Sequence, residues 1–389
     1  MKDQIINRQS LETYFRLRHS LSRTKLNERE KGIEVLLNIL KGKQDEQISD
    51  MSRYAETVIQ LAGMHRVSYP LLLYAQNHPG IFTHQQIEEL GIRCRKNAML
   101  SLGQLHELIR VTACFEKAGI SVVVIKGPQL ARMIYGREAL KESVDLDLML
   151  VHESGLEQAH VLLAELGYTQ SNLNAYPGKT SRKIFLIAKR EVHYFNPEKG
   201  CHIDLHIRPG SNTYLTTGVF RDFYDRLETY DLEGNPVQVL PPEKYLVYLC
   251  YHGGLHQFSR LGWLMDIRAF LALKKDVLDF EKIVVLAGEI HAERSLFLAL
   301  TLLNQFFGDE IPVVLEKAMA RKRRFGFLTK NCRAILSRDN RYGFTIQGRV
   351  NKFIYMMVLI KGVTGRIDLL YGIFMRFLAA RIQNRIRVS

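Results

Sequence analysis

"SVDLDLML" (residues 143–150) alternates acids with aliphatic side chains. In a strand, alternate side chains share a face, so Asp145 and Asp147 point one way while Val144, Leu146 and Leu148 point the other. The apolar set predicts a strand seated on a core. Two carboxylates crowded on one face of that strand repel each other and lose hydration. Salt bridges or a strand-edge position would relieve them. So would a bridging divalent cation, and hard oxygen donors at this spacing suit Mg²⁺.

The neighbouring motifs favour the cation. "CHIDLHIR" (201–208) repeats the pattern, with His202, Asp204 and His206 on one face and Ile203, Leu205 and Ile207 on the other. Laid beside the first strand, it adds Asp204 as a third carboxylate, and three carboxylates hold two metal ions, one for the attacking oxygen and one for a triphosphate. Upstream, "ISVVVIKG" (120–127) is a β-branched strand that ends at a glycine, and "PQLARMIYG" (128–136) opens a helix with proline at its first position. Such a corner turns backbone N–H groups toward an anion. Gly127 permits close approach of a phosphate, and Lys126 adds a cation. The corner is not a P-loop, because GxxxxGK[ST] is absent.

"GLEQAHVLLAELGY" (155–168) predicts an amphipathic helix. "KIFLIAK" (183–189), "EVHYFN" (191–196) and "HIDLHIR" predict strands, the last two joined by a "PEKG" turn. Together these elements form a mixed α/β (α+β) core over 113–235. Residues 1–112 and 236–389 carry apolar residues at three- and four-residue spacing with few breakers, which predicts helical regions on either side.

Composition narrows the setting. Of 54 basic and 40 acidic residues, 17 and two respectively fall after position 316, so the excess of positive charge sits in the tail. That suits an anionic partner or surface. The five cysteines form no CxxC pair and are odd in number, against a disulfide framework or zinc site. No secretory apolar run opens the sequence, and the longest late run, "FIYMMVLI" (353–360), falls short of the roughly 20 residues of a membrane helix. A cytoplasmic protein without a transmembrane segment is expected.

In order and spacing, "IKGPQLARMIYG", "SVDLDLML", "EVHYF" and "HIDLHIRP" resemble the DNA polymerase β-like nucleotidyltransferase superfamily. Within it they are similar to a group of uncharacterised bacterial nucleotidyltransferases. "LCYHGGLHQFSRLGWLMDIRAFL" (249–271) is similar to that group's helical segment. The resemblance implies a polymerase-β-like mixed sheet with helices. It implies transfer of a nucleoside monophosphate, AMP from ATP being the expected case, to an acceptor hydroxyl or phosphate with release of pyrophosphate. Asp145, Asp147 and Asp204 would be the catalytic carboxylates and the ligands of Mg²⁺ or Mn²⁺, with Asp204 also a candidate base. Lys126, Gly127 and Lys141 would hold the nucleotide. Lys-Gly replaces the superfamily's usual Gly-Ser or Gly-Gly. Lys141 stands where the group carries Arg, which keeps charge but loses a bidentate phosphate contact.

His252 and His256 are one helical turn apart, yet HGGLH lacks the glutamate of HExxH. They are expected to pack or hydrogen-bond, and with Arg260, Trp263 and Asp266 are candidates for the cleft wall. His193 and His206 are expected to support the site. The acceptor class stays open between small molecule, peptide or protein, and RNA. The competing class is a non-catalytic nucleotide- or RNA-binding module built on the same fold and basic tail. A further option is peripheral membrane attachment by residues 353–387, but packing of these helices on the core is the expected use.

Overall fold

The computed structural model describes residues 26–42, 51–78, 80–170, 179–188, 190–208, 224, 226–320, 325–338 and 342–388. The first 25 residues of the expected N-terminal helical region and residues 321–324 of the basic tail lie outside them.

The fold is mixed α/β, with one five-stranded mixed sheet among helices. Strands β1 (Val122–Lys126), β2 (Leu146–Leu150), β3 (Thr169–Gln170), β4 (Glu191–Asn196) and β5 (Cys201–His206) lie in the order β1-β2-β5-β4-β3. β2 and β5 pair in parallel, and the other neighbours are antiparallel. A separate hairpin joins β6 (Glu228–Leu232) to β7 (Asn235–Val239). Leu146, Leu148, Ile203, Leu205 and Val192 are fully enclosed, as the alternation requires.

One irregularity decides what faces the acids. Val124 pairs with Leu148 but Lys126 pairs with Asp147, so Ile125 is an extra residue in β1. Such a bulge shifts the alternation by one place and brings Lys126 onto the face of Asp147. The buried Tyr245 hydroxyl donates to the Ile125 carbonyl at 2.6 Å and fixes the bulge.

Helices surround this sheet. The 34-residue helix His84–Lys117 starts at a capping box between Thr83 and Gln86. Pro128–Tyr135 ends at Gly136 in the left-handed conformation. The buried faces of Pro242–Leu255, Leu261–Lys274, Phe280–Glu289 and Glu293–Phe307 join one apolar cluster with Leu26–Lys41, Met51–His65 and the strands.

"KIFLIAK" corrects one expectation. Its first six residues lie in a helix, Lys179–Ala188, rather than a strand, and Lys189 lies outside the described residues. Phe185 and Ala188 are buried while Ile184, Leu186 and Ile187 are half-buried. A short apolar run is equally consistent with either element, and packing against the terminal helix Val363–Val388 decides for the helix here. Among the described residues, no helix is long and apolar enough to cross a membrane.

Candidate active site

The strand registers line up a polar row. Lys126 lies opposite Asp147, Asp147 opposite Asp204, and Asp204 opposite His193. Paired residues share a face, so four chemically active side chains cross the sheet in one line. A second row one layer along contains Met149, His206 and Glu191. Asp145 sits just before β2, where Ser143 Oγ donates to its carbonyl at 3.0 Å.

Asp147 is nearly enclosed, 5% exposed. Lys126 Nζ lies 3.0 Å and His206 Nε2 2.9 Å from its Oδ1. Burial alone would push this carboxyl up, but Lys126 and then His206 outweigh it and hold it well below the ordinary range. Asp145 goes the other way. Burial first, then the negative Asp147, push it up to about 6, with Asp204 adding to the rise against Lys126. The three predicted carboxylates therefore share one electrostatic site.

A second set of donors flanks them. His193 Nδ1 lies 2.6 Å from Asp204 Oδ1, and His206 Nδ1 lies 3.3 Å from Glu191 Oε2. One donor atom from each of Glu191, His193 and Asp204 falls within 4.8 Å of the others, a spacing that suits a shared cation. Burial would raise Glu191, but His206, Arg190 and His193 together hold it below its ordinary value.

The residues fit a divalent metal on their own chemistry. Mutual repulsion among Asp145, Asp147 and Asp204 is what a cation removes, and all the donors are carboxylate or imidazole. Among the described residues, the donor atoms that converge closely enough for one ion are those of Glu191, His193 and Asp204; of the three carboxylates expected as ligands, Asp204 belongs to that group and Asp145 and Asp147 do not.

The strand-to-helix corner at Gly127 also forms. Gly127 is the N-cap of Pro128–Tyr135 with φ 107° and ψ −150°, a combination essentially restricted to glycine. An added Cβ there would meet only ordinary contacts, the nearest being Asp145 O at 3.6 Å. The backbone angle, rather than space, demands the glycine.

Lys141 is held elsewhere. Its Nζ lies 2.5 Å from Asp266 Oδ2, and Tyr135 donates to the other oxygen at 3.2 Å. Lys141, Asp266, Arg260 and Trp263 line a cavity of about 250 Å³ with Arg66 and Tyr69. Arg66, in that lining, also acts by its charge to lower the pKa of Asp145.

His252 and His256 act as acceptors. Their Nε2 atoms lie 3.3 Å from Lys126 Nζ and 3.4 Å from Arg190 Nη2 respectively. Burial is the largest cause that drives both rings well below the ordinary histidine range. For His252 Lys126 comes next, and for His256 Arg190 does. A neutral imidazole accepting from a cation matches that electrostatics, and Trp263 packs edge-on to His252 at 5.4 Å.

A family model described as an uncharacterised nucleotidyltransferase matches residues 52–308. The chain belongs to that nucleotidyltransferase family. No curated protein and no solved structure matches the chain. The nucleotidyltransferase match runs from the helix Met51–His65 to just past Glu293–Phe307, so it takes in the helical walls as well as the sheet. Residues 309–389 lie outside it.

Glu191 and Arg190 escaped sequence reading, although Glu191 and His193 show the same i, i+2 alternation as the acids. Arg66 gives no local signal at all, because its approach to Asp145 depends on how Met51–His65 docks.

Proposed function

We propose that the protein transfers a nucleoside monophosphate, AMP from ATP in the first instance, to an acceptor hydroxyl or phosphate and releases pyrophosphate. The observation that supports this reading is the strand register that sets Asp147 beside Asp204, with Asp145 just ahead of the same strand next to the Gly127 corner. When bound, Mg²⁺ or Mn²⁺ would neutralise triphosphate charge and lower the pKa of the attacking oxygen's proton.

The remaining work falls to the chain. Gly127 and the first N–H groups of Pro128–Tyr135 receive phosphate oxygens, since a side chain at the corner would hold the backbone away. Lys126 leaves Asp147 for the phosphates as negative charge arrives, and neutral His252 steadies its ammonium meanwhile. Asp204 takes the acceptor proton, and the His193 Nδ1–H that donates to its carboxylate holds it in place. The cavity of Arg66, Tyr69 and Trp263 receives the acceptor or the base.

The test is incubation with each labelled nucleoside triphosphate, Mg²⁺ and cell extract, followed by mass spectrometry of whatever gains label. Asp145→Asn and Asp147→Asn should abolish labelling. Full activity in either variant would refute the assignment of that residue, and no label in the wild type would favour a nucleotide-binding module.

A further inference from the structure

The two last helices carry apolar side chains on the wrong side. Ile346–Leu359 buries Tyr355, Met356 and Leu359, and Val363–Val388 buries Leu369, Met375 and Ala379. Those faces accomplish the expected packing. The opposite faces are also apolar. Ile346 (84% exposed), Val350 and Phe353 recur at four- and three-residue spacing on the first helix, as do Ile367, Phe374 (59%) and Phe377 (56%) at multiples of a helical turn on the second. Single exposed apolar residues are ordinary, but two consecutive helices with such stripes mark an interaction surface.

The stripes stand on a docked platform. Tyr355 donates to the Gly254 carbonyl at 2.8 Å, Lys361 pairs with Glu293 at 2.6 Å, and Arg366 donates to the Met357 carbonyl at 3.2 Å. The helices are therefore tied to the core and to each other.

Charge selects the occupant. Residues 342–388 contain eight Lys and Arg, six of them besides the tethers Lys361 and Arg366, and one acid, Asp368, which is fully buried. A second copy laid on this surface would bring like charges together. An RNA would find the charge but leave the apolar rings in water. An anionic bilayer satisfies both, since rings enter the acyl boundary while basic side chains reach the headgroups. Arg381, stacked over Phe377 at 4.6 Å, is placed for that role. We propose that the face formed by Ile346–Leu359 and Val363–Val388 docks the protein on anionic lipid membranes. This is independent of the transfer chemistry.

The experiment is co-sedimentation of the full chain with phosphatidylcholine vesicles, with and without phosphatidylglycerol, at low and about 1 M salt. Binding should need phosphatidylglycerol, weaken in salt, and fall roughly tenfold or more in Phe374→Glu/Phe377→Glu. Because both side chains are exposed, the variant should keep the wild-type thermal transition. Phe374→Trp should shift its added emission to the blue on vesicles, a readout independent of pelleting. Equal binding by wild type and the double-glutamate variant would overturn the proposal. So would a wild-type dimer that this variant dissolves without any vesicle binding, or RNA binding that this variant weakens without vesicle binding by the wild type.

Discussion

Lys126 Nζ and Asp147 Oδ1 lie 3.0 Å apart in a nearly dry layer, on strands whose bulge alone makes them neighbours. This pair separates structural from functional effects of the acids. Asp147→Asn strips an ionic acceptor from both Lys126 and His206 and should cost about 2–4 kcal/mol of stability. Asp204→Asn disturbs chiefly the half-exposed His193 and should cost less than about 1 kcal/mol. Both should lose nucleotidyl transfer. Urea unfolding beside the labelled-nucleotide assay checks the contrast, and wild-type transfer by Asp204→Asn would remove that carboxylate from the mechanism.

Gly127→Ala tests the corner. No neighbour would clash, so the expected loss of about 1–3 kcal/mol comes from the backbone angle. Thermal unfolding should show it, together with weaker nucleotide binding as the corner relaxes. An unchanged melting temperature would mean that the angle is not strained for alanine.

Lys141 and Asp266 should behave as a buried pair. Lys141→Met alone leaves Asp266 to Tyr135 and should cost about 3–5 kcal/mol, whereas adding Asp266→Asn should recover part of that loss. A double-mutant cycle in urea reads the coupling. If Lys141→Met instead raises KM for the nucleotide with stability unchanged, the lysine belongs to the phosphates.

His65 predicts a pH dependence. It is fully buried, with Nε2 donating to the Leu336 carbonyl at 3.0 Å, and burial first, aided by Arg29 and Arg260, pushes it down to about 3. The unfolded chain takes up this proton near pH 6.5, while the folded chain does so only near 3. Stability is therefore intact above about 6.5 and drains as pH falls through that window, by up to about 1.4 kcal/mol per pH unit. His65→Gln should lose that component. Parallel slopes for the two proteins in urea unfolding between neutral and about pH 5 would contradict it.

The grouping of the acids was legible because strands advertise their faces. Asp145, Asp147 and Asp204 stand out against Leu146, Leu148 and Leu205 by alternation alone, and Gly127 followed by Pro128 announces the corner. Lys141 was legible only as a charge; its commitment to Asp266 depends on how Leu261–Lys274 docks. Arg66 was invisible for the same reason. "KIFLIAK" was misread because its packing partner lies far along the chain, on Val363–Val388. The exposed stripes of the last two helices were hidden differently. Both faces of Val363–Val388 are apolar, and periodicity cannot tell which one is covered.

The parallel pairing of β2 and β5 has a mechanical consequence. Asp147 and Asp204 are opposite residues of adjacent central strands, so backbone hydrogen bonds set their separation near the sheet spacing of about 4.8 Å. That gauge cannot breathe without unzipping the sheet. On the proposed function, any adjustment to arriving or departing substrate must come from the opposing helices and from side-chain rotation, which would leave the two acids as the fixed jaw of the cleft.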